Sequence, residues 1–180
     1  MKHGRIDHVE GFRQVWSPLT KSMLAPIPGR FNRLQFDEAL KDGEYHRIAR
    51  LLDRHPAITM RVYGDYKQSI NDLEFLRYFP KLRRFWVDLW RIDTFDGLLY
   101  LPANLQHLHL GPTKTKAISL QFLEKFAGLS LLTVAGHSKD FSAVSTLNRL
   151  GQLRMAGIPL SNLSHLTSLN RLQSLGITSG

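Results

Sequence analysis

Leu163-Ser164-His165-Leu166-Thr167-Ser168-Leu169-Asn170-Arg171-Leu172-Gln173-Ser174-Leu175-Gly176-Ile177 is the stretch on which the fold turns. Its apolar residues fall three apart and then two apart, a rhythm that fits neither a long α-helix nor a plain alternating strand. The rhythm recurs 22 residues earlier in Phe141, Val144, Leu147, Leu150, Leu153 and Met155, and 21 residues before that in Leu120, Leu123, Phe126, Leu129, Leu132 and Val134. A further copy, Leu73, Leu76, Phe79, Leu82, Phe85 and Val87, starts 47 residues upstream. Between them, Leu105, Leu108 and Leu110 keep the second half of the rhythm, whereas Phe95 to Pro102 reads as irregular.

The second half of each copy has the outline Leu-x-x-Leu-x-Leu, with first positions at residues 82, 105, 129, 150 and 172 and steps of 23, 24, 21 and 22. This resembles the leucine-rich-repeat family, whose units run roughly 20–29 residues. The short, even C-terminal units are most similar to its bacterial and phosphatase-regulator-like class. The resemblance implies an α/β solenoid, with a parallel sheet on the concave face and helical or 3₁₀ segments on the convex face. A single unit cannot bury its leucine face alone, and consecutive units over residues 72–180 can. One departure stands out. The asparagine that the family places three residues after the last strand leucine is replaced here by Trp90, Thr113, His137, Ile158 and Gly180.

Upstream, Ala57 to Val62 can be written in the same register and is expected to be the first, atypical strand. Glu44 to Arg54 puts Tyr45, Ile48, Leu51 and Leu52 on one helical face and is stopped by Pro56, so it reads as a helical N-terminal cap. Asp37 to Lys41 is expected to form a shorter helix. Residues 1–36, with Pro18, Pro26 and Pro28, read as an extended or partly ordered lead-in. The division is therefore 1–56 as lead-in and cap, and 57–180 as a solenoid of about six strands, packed as one domain.

Composition limits the function classes. The chain has 180 residues, 43% hydrophobic and 22% charged, and no cysteine, which removes thiolate metal sites, disulfides and a cysteine nucleophile. No apolar run suggests a signal-peptide core or a membrane span, so a cytoplasmic protein is the expectation, with leader-less secretion left open. No phosphate-binding glycine loop, nucleophile elbow or His-Glu-x-x-His motif appears, so the expectation is a non-catalytic chain without a cofactor or metal. The net charge is +9, and residues 101–180 carry seven Lys/Arg against two Asp/Glu. That balance makes nucleic-acid or other polyanion binding the second reading. Lys114, Lys116 and Lys139 fall on loops where they could line one edge, and a solvated loop accounts for them better.

In a stack of this kind the residues between the strand leucines face the concave side. The middle column is Arg61, Trp86, His109, Thr133, Arg154 and Gly176, flanked by one column with Arg84 and His107 and another with Tyr63 and Asp88. Arg61, Tyr63, Arg84, Trp86, Asp88, His107, His109 and Arg154 are therefore the candidate partner-binding residues, because Trp, Tyr and Arg dominate protein–protein hot spots. His107 and His109 share a face and could ligate a metal with Asp88, yet surface histidines at a binding patch explain them more simply. The resulting expectation is a protein-interaction module that binds a partner protein on its concave face. The family resemblance also allows a repeat domain of a larger bacterial effector or adaptor. Leu172, Leu175 and Ile177 on the last strand read as an uncovered edge, for which the first expectation is a natural polypeptide that continues beyond Gly180 and the second an end-to-end homodimer through that strand.

Overall fold

The structure is a computed structural model that describes residues 8–9, 11–64, 69–115, 118–158 and 163–179. One nine-stranded sheet runs through it in strictly sequential order. The strands are β1 (His8–Val9), β2 (Phe12–Gln14), β3 (Arg33–Phe36), β4 (Thr59–Gly64), β5 (Arg84–Leu89), β6 (His107–Leu110), β7 (Leu131–Ala135), β8 (Gln152–Ala156) and β9 (Ser174–Thr178). The first pair is antiparallel and every later pair is parallel. Short 3₁₀ segments, at Glu74–Tyr78, Asp96–Tyr100, Gln121–Lys125, Phe141–Thr146 and Ser164–Ser168, return each unit along the convex side.

The three-residue spacing has a direct cause. In the unit before β5, Leu76 N–H donates to Leu73 O at 3.0 Å, Phe79 to Leu76 at 2.9 Å and Leu82 to Phe79 at 3.1 Å. Hydrogen bonds of the i to i−3 type make three residues per turn, so every third side chain eclipses the last and forms a ridge along one side. That ridge faces inward, and the strand residues Phe85 and Val87 continue it with 1% exposure each. The unit read as irregular obeys the same rule. Leu98 donates to Phe95 at 2.8 Å and Leu101 to Leu98 at 2.9 Å, with Phe95, Leu98 and Leu101 all buried. Its departure is one extra residue at the turn, where Leu105 N–H bonds Pro102 O.

The N-terminal third differs from the sequence reading. The sheet begins well before Thr59, because β2 and β3 lie in register beside β4. Residues 15–32 are no lead-in but a convex arm without regular secondary structure, with Val15, Leu19, Met23, Ile27 and Phe31 buried. Arg13, 2% exposed, holds that arm by donating to the carbonyls of Met23 (3.2 Å), Ala25 (2.5 Å) and Pro26 (3.2 Å). Its buried side chains fall four apart, not three as in the other returns, and Pro18, Pro26 and Pro28 interrupt the helix that such a spacing would otherwise suggest.

The helix expected near this end is present as α1 (Asp42–Asp53), with Tyr45, Ile48, Leu51 and Leu52 buried as read. It forms the convex return between β3 and β4. The shorter helix expected over Asp37 to Lys41 does not form, since Asp37 and Glu38 make a bend and Leu40 N–H bonds the Tyr45 hydroxyl at 3.0 Å. Glu44 joins the arm to the helix start, accepting from Leu19 N–H at 2.8 Å and from Lys41 N–H at 3.0 Å. Burial by itself raises its pKa, but these bonds outweigh that and hold the carboxylate below its ordinary range. Tyr45 then stacks on both Phe75 (5.2 Å) and Tyr78 (5.6 Å), welding α1 to the first 3₁₀ segment.

His137 occupies one of the family's asparagine positions and does an equivalent job. It is 0% exposed, and its Nε2–H donates to Gly111 O of the neighbouring unit at 3.0 Å. At the other end of the sheet, Leu175 and Ile177 on β9 are 43% and 49% exposed. Among the described residues, no helix is long and apolar enough to cross a membrane.

Two outcomes are expected. Leu132→Ala, at a 0% exposed position between β6 and β8, should lower unfolding free energy by about 2–5 kcal/mol in urea titrations. Burial holds the His137 pKa below its ordinary value, while the Gly111 bond pulls weakly the other way. The unfolded chain therefore takes up a proton first as pH falls below about 6.5, and stability should decline there. His137→Asn should flatten part of that decline in denaturation curves at pH 7.5, 6.5 and 5.5.

Candidate binding surface

Parallel, in-register pairing sets Arg61 beside Trp86 and Trp86 beside His109, and on the next column sets Tyr63 beside Asp88. Neighbouring strands lie about 4.8 Å apart, so these side chains stand shoulder to shoulder on the concave face. Their contacts follow from that spacing. Asp88 accepts from Arg61 Nε at 2.7 Å and Nη2 at 2.6 Å on one oxygen, and from His109 Nε2 at 3.1 Å on the other. The carboxylate is only 20% exposed. Burial would raise its pKa, but His109 and then Arg61, each through a hydrogen bond and its charge, hold it below the ordinary value.

Trp86 is half-buried, with the His109 ring centroid 4.4 Å away and the Arg61 guanidinium 5.0 Å away. Arg61 also lies 4.9 Å from the Tyr63 ring. Gly111 makes room for this arrangement. A Cβ there would sit 2.3 Å from Asp88 Oδ1, well inside contact distance, so no larger residue leaves the carboxylate where it is.

The surface extends beyond the residues legible in sequence. Arg61 Nη1 donates to Gln35 Oε1 at 3.4 Å, and Gln35 Nε2 donates to Gln14 Oε1 at 3.1 Å. The same Gln14 oxygen accepts from Tyr63 OH at 3.1 Å, while Gln14 Nε2 donates to Asp37 Oδ1 at 3.0 Å. One hydrogen-bonded network thus crosses β2 to β6. Arg33 adds a second guanidinium to the Trp86 indole, 4.8 Å from its centroid. Gln14, Arg33 and Gln35 were missed because their strands sit in the proline-rich region. The available signal was Leu34-Gln35-Phe36, which repeats the apolar-x-apolar form of Met60-Arg61-Val62 and pairs with it residue for residue.

The remaining sequence candidates divide. Arg84 and His107 are paired neighbours at the rim of the cluster, and Arg84 Nη1 donates to Ala57 O at 3.1 Å. Burial first and Arg84 second lower the His107 pKa. Arg154 does not join them. It lies on β8 between Thr133 and Gly176, exposed and away from the tryptophan. Among the described residues no group of three His, Asp or Glu side chains is set to hold a metal ion. Lys114 and Lys139 are exposed on their loops, and Lys116 falls outside the described residues.

Farther along, the column that carries Asp88 shrinks to Gly111, Ala135 and Ala156. The small residues leave an open trough of about 830 Å³, lined by Trp90, Ala135, Gly136, Ala156, Ile158 and Ile177 among others.

Replacing Asp88 with Asn should cost about 1–2 kcal/mol at pH 7, because two cationic or donor partners lose their acceptor charge. The Asp88 pKa is depressed in the fold, so its contribution is present above the ordinary carboxylate value and is lost as pH falls through the folded one. The gap between wild type and Asp88→Asn in urea titrations should therefore close in strong acid.

No known family's sequence model matches the chain, and no curated protein matches it. Solved structures do. Internalin C2 of Listeria monocytogenes superposes with a TM-score of 0.53 at 18% identity, covering 82% of this chain and 64% of its own. The chain thus spans less than two thirds of that relative's length. An internalin (inlF) of the same organism gives 0.41 at 14% identity, covering 80% of this chain and 52% of its own. TLR13 in its complex with ssRNA13 gives 0.45 at 14%, covering 90% and 31%. With its sequential parallel sheet and 3₁₀ returns, the chain is a leucine-rich-repeat solenoid.

Proposed function

We propose that this chain is a non-catalytic binding module whose partner is another protein, docked on the N-terminal half of the concave face. The observation that carries the reading is the cluster of Trp86, Arg61, Tyr63 and His109 around Asp88. These side chains are mounted on strands and pre-ordered by hydrogen bonds, so a partner would pay little entropy to use them. They also combine large apolar area with polar tips, the combination found in hot spots. The apolar trough farther along the same side supports a protein partner, since aliphatic or aromatic side chains fill such a surface.

Capture by immobilised chain from a lysate of cells that express it, with crosslinking, tests the reading. Proteins retained by wild type should be lost with the Trp86→Ala, Arg84→Glu double variant and kept with Arg171→Gln, an exposed change on the last turn. Circular dichroism of each variant checks that the fold persists. An unchanged set of captured proteins in the double variant would remove the concave patch as the docking site.

A further inference from the structure

Arg61 has its carboxylate, and Arg33 does not. Among the described residues the Arg33 side chain donates no hydrogen bond and forms no ion pair; its guanidinium contacts are the Trp86 ring at 4.8 Å and the Phe12 ring at 5.8 Å. Its charge is disfavoured first by burial and then by Arg61, with Asp88 pulling the other way. The indole beside it also has a buried Nε1–H without a hydrogen-bond partner among the described residues. A half-buried planar cation that is repelled by its neighbour and has unused donors gains most from an oxygen anion supplied from outside the chain.

We infer that Arg33 is the anchor for a carboxylate of the partner, an aspartate or glutamate side chain gripped by two parallel N–H donors while Arg61 keeps Asp88. The inference rests on the concave face being the partner surface. A carboxylate fits better than a nucleic-acid phosphate for two reasons. Single-stranded nucleic acid binds where bases find a free aromatic face. Here the Trp86 indole is already taken up by two guanidiniums and the His109 ring within 5.0 Å. Farther along the sheet, moreover, toward β7–β9, the face opens into an apolar trough whose lining includes no cation. The preferred partner is therefore acidic at one point and apolar several strands farther along, which is a property of a protein surface.

Titration of the full chain with acetylated hexaglutamate, hexaglutamine and a six-nucleotide oligouridylate at low salt tests this, read by the NMR signals of Arg33 Nε–H and Trp86 Nε1–H. Hexaglutamate should shift both signals saturably and hexaglutamine should not. Arg33→Gln should weaken hexaglutamate binding about tenfold or more, and Arg171→Gln by no more than about twofold. Arg33→Lys, which keeps the charge but not the planar fork, should recover only part of the loss. Equal weakening by Arg33→Gln and Arg171→Gln would mean diffuse attraction and overturn the inference. Tighter binding of oligouridylate at the same two signals would overturn it in favour of phosphate. Protein capture separates this from the reading beneath it: loss with Trp86→Ala but not with Arg33→Gln would leave the concave-face reading standing and remove the carboxylate. Capture unaffected by either variant would remove both.

Discussion

Every unit of this solenoid owes its shape to a neighbour. A strand of four to six residues and one 3₁₀ turn bury almost nothing alone, so the ridge of Leu120, Leu123, Phe126 and Leu129 becomes core only when units before and after cover it. Stacking by burial demands in-register pairing, because a one-residue slip would turn each inward leucine outward. That register is what brings the concave side chains into columns. The proposed binding surface is thus a by-product of the constraint that makes the core.

The columns carry different loads at the two ends. Toward β2–β6 they hold long polar and aromatic side chains, which satisfy one another through Asp88, Gln35 and Gln14 and so stand ordered before any partner arrives. Toward β7–β9 the column that carries Asp88 shrinks to Ala135 and Ala156, and the surface there becomes an open apolar trough. Gly111 marks the change, since its missing Cβ admits the Asp88 carboxylate. Electrostatic order at one end and apolar relief at the other give the face two distinct chemistries within one sheet.

The N-terminal region closes the stack by different means. There the core is covered by an arm without regular secondary structure, held by the buried Arg13 through three backbone carbonyls and tied to Glu44 of α1 and, just past the helix end, to His55, whose Nε2 accepts from Ile27 N–H at 3.2 Å. Polar side chains here fix an arm whose own apolar residues, Val15, Leu19, Met23, Ile27 and Phe31, complete the core. His137 is a smaller instance: it replaces the asparagine of the family and still reaches the next loop.

Repeat period, strand phase and the inward leucines were legible in the sequence because each follows from local geometry: three residues per turn in the return segments and two in the strands. From that phase alone Arg61, Trp86, Asp88 and His109 could be placed on one face, and they meet there. Arg154 obeyed the same phase yet stands apart, since phase tells which face a residue is on and not how many strands separate it from another. β2, β3 and the arm around Pro18 and Pro26 were not legible. Their placement depends on tertiary contacts with α1 and on hydrogen bonds between residues 10 to 28 positions apart, and the four-residue spacing of Val15, Leu19, Met23, Ile27 and Phe31 does not match the three-residue ridge of the other units. The partnership of Arg33 with Trp86 belongs to that second class: 53 positions separate them along the chain, and only the stacking of β3, β4 and β5 brings them to 4.8 Å.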